Sequence, residues 1–136
     1  MKSSHGTTKY AQVALKAALM AAEGTHPLKA WQVAAADVFS GCPAAEKKSC
    51  PKSAFLGLAE AGLIKGVVSG QYTKSIENKR YAESAVLLLQ EKETWSEKPE
   101  DLWSHVAETA GKKKHNGQMH VVLALWNAKK LAGQST

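Results

Sequence analysis

Apolar residues at Tyr10, Val13, Ala14, Ala17, Ala18 and Ala21 recur at the three- and four-residue spacing of one helical face. Leu15 and Leu19 widen that stripe and Gly24 ends it. The many alanines imply close contact with a second helix, because a small side chain lets a neighbouring backbone approach. A second helix is predicted after His26–Pro27, with Trp31, Ala34, Ala35 and Val38 along one side and a stop at Ser40–Gly41. A third is predicted over 51–64. Pro51 suits its first position, where no N–H is needed, and Phe55, Leu58, Ala59 and Leu63 can face a core. Gly66 reads as its stop signal.

The stretch "GVVSGQYT" holds two short runs around Ser69–Gly70. It fits either a tight β-hairpin over 67–73 or an irregular connection. Ser75 is placed to cap a helix through Asn78, Tyr81, Ala82, Ala85, Val86, Leu88 and Leu89. Pro99 opens another, with Glu100 and Asp101 in the first turn, where a helix start favours negative charge. Asn116 can cap the last helix, whose "MHVVLALW" is apolar nearly all round and so belongs at the centre of a core. The expectation is an all-α chain of about six helices, with a winged-helix-like hairpin as the one β element. Residues 1–136 read as one domain, with 1–7 and 132–136 as flexible ends, and there is neither a repeat nor a linker.

Composition narrows the class. At 136 residues with 44% apolar and 22% charged side chains, the chain suits a soluble globular domain. No apolar run reaches the roughly 18–20 residues that span a bilayer, the N-terminus is polar, and two cysteines cannot form a secreted disulfide framework. The cytoplasm is expected, without membrane contact. The net charge of +6 is sorted by segment. Residues 46–80 carry seven basic and three acidic side chains, 83–108 two and seven, and 109–136 five and none. Such sorting favours oriented contact with a polyanion, or mutual neutralisation of the blocks within the fold.

The basic residues gather where helices begin: Lys47, Lys48 and Lys52 around the third helix, Lys79 and Arg80 after the Ser75 cap, and Lys112, Lys113, Lys114 and His115 before the last. Lysines there oppose the helix dipole, whereas backbone N–H groups and lysines together suit a phosphate. Helix 27–39, a turn near 43–48, helix 51–64 and a hairpin at 67–73 also follow the order of a winged helix-turn-helix, with Lys52, Ser53 and Gly57 leading into a groove. That helix lacks Arg, Asn and Gln, so backbone or shape recognition fits better than base reading. Tyr81 and the four tryptophans are expected to pack in the core or at its rim, Trp95 being the most exposed.

Catalysis would rest on Cys50, a thiol at a helix start between Lys48 and Lys52, with His115 as base. No spacing links the two, and a packed cysteine is the commoner case. The Cys42–Cys50 spacing misses that of structural zinc sites, leaving His115 and His120 as an isolated pair. No phosphate loop, dinucleotide fingerprint or nucleophile elbow occurs. No catalytic residue, metal or cofactor is therefore expected.

The Cys-Pro-Lys run at Cys50–Lys52, the Asn-Lys-x-Tyr-Ala run at Asn78–Ala82 and the Lys-His-Asn-x-Gln-Met run at Lys114–Met119 resemble a family of small uncharacterised bacterial proteins, a domain of unknown function. The resemblance covers most of residues 9–130. It implies a compact helical bacterial protein and brings no activity with it. Its three runs coincide with the three basic helix starts. The sequence reading is therefore a non-catalytic protein binding nucleic acid, DNA first, or another polyanion at those starts. The alternative is a protein-interaction module, either a homodimer or an adaptor or inhibitor of another protein.

Overall fold

The alanine stripe of the first helix does what its spacing implies. Helix α1 (Lys9–Ala22) buries Ala11, Val13, Ala14, Ala17, Ala18 and Ala21, and packs along α2 (Pro27–Val38), which turns Ala30, Trp31, Ala34 and Ala35 inward. Small side chains on both helices leave room for one backbone near the other, and a Lys16–Asp37 ion pair closes the outer rim. Helix α2 begins at Pro27, with the Leu28 N–H donating to His26 Nδ1 at 3.2 Å. The structure, a computed structural model, describes residues 9–39, 49–110 and 118–132.

The remaining helices are α3 (Ser49–Glu60), α4 (Ile76–Glu91), α5 (Pro99–Ala110) and α6 (Gln118–Asn127), with a 3-10 turn at Glu93–Glu97. Helix α6 lies at the centre, touching α1, α3, α4 and α5. Its run from Gln118 to Leu125 is buried apart from half-buried His120, as an all-round apolar helix must be. Trp31 stacks on Phe55 across the core at 5.3 Å between ring centroids, and Tyr81 meets Trp103 edge-on at 5.0 Å. The Tyr81 hydroxyl is buried and has no hydrogen-bond partner among the described residues. Trp95 and Trp126 sit half-buried against the core.

Three helices end alike. After α1, the Gly24 N–H bonds to the Ala21 carbonyl and Thr25 to Met20; after α3, Gly62 bonds to Ala59 and Leu63 to Leu58; after α6, Lys129 bonds to Trp126 and Lys130 to Leu125. This is the Schellman arrangement, which needs a left-handed residue at the turn. Gly24, Gly62 and Lys129 supply it with φ of 112°, 75° and 60°. Helix α3 thus stops before Gly62, four residues earlier than the expected stop at Gly66.

The hairpin expected at 67–73 is absent, and with it the wing of a winged helix. Two backbone donors of this segment go to one side chain instead of across a ladder. Tyr72 and Thr73 donate their N–H groups to Glu60 Oε1 at 2.8 and 3.2 Å, and the Tyr72 hydroxyl donates to the Val68 carbonyl at 2.6 Å. Gly70 reaches the Glu60 carbonyl at 3.4 Å. The segment therefore folds back on the end of α3 as irregular chain. The described residues contain no strand, only a single antiparallel bridge between Ile64 and Leu131. No described helix is long and apolar enough to cross a membrane.

Candidate functional site

The start of α4 is the best-defined polar constellation among the described residues. Ser75 caps it as its position implied: its Oγ accepts from the Asn78 backbone N–H at 3.4 Å and from Asn78 Nδ2 at 2.9 Å. The other end of that amide, Oδ1, accepts from Gln118 Nε2 at 3.0 Å. Asn78 and Gln118 are both buried, so the bond is made out of water and joins the first turns of α4 and α6. The first turns of α4 and α6 are brought together in this way.

Lys79 belongs to a second cluster at the same turn. Its Nζ lies 2.7 Å from Glu60 Oε2, while Glu60 Oε1 takes the two N–H groups of the 72–73 segment. The Lys79 ammonium and these backbone donors hold the Glu60 carboxyl down to about 2, and the same pair raises the Lys79 pKa above its ordinary value. The backbones beneath them nearly touch. A Cβ on Gly57 would fall 2.7 Å from Lys79 Cα, so only glycine lets α3 and α4 cross there. Gly57 thus serves helix packing, not approach to a groove.

Lys52 is half-buried on α3, two turns before Glu60 and roughly 12 Å from it along the axis. Residues 53–59 are all buried, so this stretch of α3 has no outer face to lay in a nucleic-acid groove. Arg80 is exposed on α4. Lys47, Lys48, Lys112, Lys113, Lys114 and His115 lie outside the described residues, as do Cys42 and the side chain of Cys50. His120 is pushed to a lower pKa by burial, and among the described residues no three His, Cys, Asp or Glu side chains converge as metal ligands would.

Sequence reasoning passed over the outward face of α4. Ile76 is 65% exposed and Leu87 62%, with Arg80 and Glu83 between them on the same side of the helix. Their signal was present: both apolar residues fall off the stripe formed by Asn78, Tyr81, Ala82, Ala85, Val86 and Leu89, all of which are buried. Beside this ridge runs a groove of about 660 Å³ whose walls include Leu63, Val86 and Gln90. A ridge of two apolar ends around two opposite charges can seat another surface.

No curated protein and no solved structure matches the chain. The model of a family of unknown function (DUF6979) matches residues 7–132, nearly the whole length, and the chain belongs to that family.

Proposed function

We propose that this protein is a non-catalytic interaction module that docks other protein surface on the outward face of α4. The observation that carries the reading is the pair Ile76 and Leu87, two large apolar side chains left mostly in water on a helix whose other apolar residues are packed. Large apolar side chains and arginine are favoured in interfaces, and here Ile76 and Leu87 flank Arg80 and Glu83, with Glu77 beside them. Lys79 is already engaged with Glu60, and residues 53–59 of α3 are buried, so both observations favour protein over DNA as the partner. Quantitative capture on immobilised protein tests it. Partners held by the native chain and by Leu19→Glu, a change at an exposed apolar site on α1, should be lost with Leu87→Glu. Equal capture by all three would overturn the reading.

A second reading, polyanion binding, is favoured by the Asn78–Gln118 bond, since it joins the α4 start to the helix directly preceded in sequence by Lys112–Lys114 and His115. Affinity for duplex or single strands should then fall steeply with salt, and alanine at Lys112, Lys113 and Lys114 should reduce both affinity and salt slope. No binding at low salt would remove it.

A further inference from the structure

We infer that the surface seated on α4 is a second copy of this chain, with the two α4 helices antiparallel about a twofold axis. The inference rests on the reading that α4 is the docking face, and it names the partner. Its basis is a symmetry in the positions of four residues. Ile76 and Leu87 have their midpoint between Tyr81 and Ala82, and so do Arg80 and Glu83. A twofold axis at that midpoint lays Ile76 on the partner's Leu87 and Arg80 on the partner's Glu83, each contact occurring twice. One patch thereby complements itself, which is the condition for a closed dimer of identical subunits.

The spacing is suitable as well. Positions 76, 80, 83 and 87 step by four, three and four, the seam along which two helices mesh side chains. A parallel pairing would set arginine on arginine and glutamate on glutamate at the centre, where like charges repel, so the charges select the antiparallel arrangement. The groove walled by Leu63, Val86 and Gln90 lies beside the ridge and widens the surface that a second copy covers. Helix α4 has 16 residues, about 24 Å of axis, so the contact belongs to the small class of interfaces and assembles by mass action.

Sedimentation of the full chain over a wide concentration range tests this. The expected result is a shift from the 14.6 kDa monomer to a dimer. Leu87→Glu should weaken the dimer about tenfold or more. Arg80→Glu alone should also weaken it, and adding Glu83→Arg should restore it, because every contact is then reversed on both sides. Cross-linking reads the register. With Cys42 and Cys50 replaced by serine and native melting retained, Ile76→Cys plus Leu87→Cys should form interchain disulfides. Ile76→Cys alone should not, since eleven residues put the two copies of position 76 roughly 16 Å apart, beyond the reach of a disulfide at about 7 Å. A monomer at every concentration, a dimer indifferent to Leu87→Glu, or a cross-link from Ile76→Cys alone would each overturn the antiparallel dimer. The capture experiment still decides separately whether α4 docks a different protein.

Discussion

Gln118 donates from Nε2 to Asn78 Oδ1 at 3.0 Å, linking two buried amides 40 residues apart in the chain. Asn78 uses both ends of its amide, the other being held by Ser75. Asn78→Leu removes the bond to Gln118 and loosens the cap, and should destabilise the fold by about 1–3 kcal/mol. Adding Gln118→Leu should cost less than the two single changes summed, because both remove the same bond. Urea unfolding of the single and double variants checks this.

Glu60 makes stability depend on acid. Its carboxyl titrates at about 2 in the folded chain against an ordinary 4.5. A depressed folded value means that the contribution is fully present above pH 4.5 and is lost as pH falls from there through about 2. Glu60→Gln should therefore be less stable than the native chain at pH 7 and close to it at pH 2, in unfolding titrations at a series of pH values.

Gly57→Ala sets two effects against each other. Alanine favours a helix by about 1 kcal/mol over glycine. Its Cβ would meet the Lys79 backbone at 2.7 Å, where no flexible side-chain end can yield, and overpacking of this kind costs about 1–3 kcal/mol. The net effect should be destabilising, with a lower melting temperature and disturbance at the start of α4.

Lys129→Gly should act in the opposite sense. Lys129 holds φ at 60° in the turn that ends α6, where Gly24 and Gly62 serve α1 and α3. A side chain in this conformation costs on the order of 1 kcal/mol, so glycine should raise stability by about 0.5–1 kcal/mol in thermal melts.

Tyr81→Phe removes a buried hydroxyl that has no partner among the described residues, while keeping the ring against Trp103. Unfolding should show no loss of stability, and a gain of up to about 1 kcal/mol.

The helices were legible in the sequence because each carries its own evidence. The spacing of Ala14, Ala17, Ala18 and Ala21, the Ser75 cap and the apolar run from Met119 to Leu125 are local signals, and each describes what the structure contains. Segment 67–73 was not legible, because what organises it is Glu60, a residue on the preceding helix whose partners Tyr72, Thr73 and Lys79 lie 12 to 19 residues on. Glycines misled for the same reason. Gly62 and Gly66 offer the same local stop signal, and the helix ends at the first; Gly57 is explained only by a helix that crosses it. Of the three basic starts, the joining of α4 to α6 depends on Gln118, which looks like an ordinary first-turn residue until Asn78 is opposite it. Ile76 and Leu87 were readable by subtraction, as the apolar positions that the buried stripe does not use.

The central place of α6 also bears on how the protein is made. The helix that touches α1, α3, α4 and α5 is the last of the described helices to leave the ribosome, and the Ile64–Leu131 bridge follows it. At roughly 5–20 residues per second, the earlier helices wait several seconds with the apolar sides that α6 will cover still uncovered. This core cannot close until α6 has emerged, and the nascent protein is a natural client for a holding chaperone until that helix arrives.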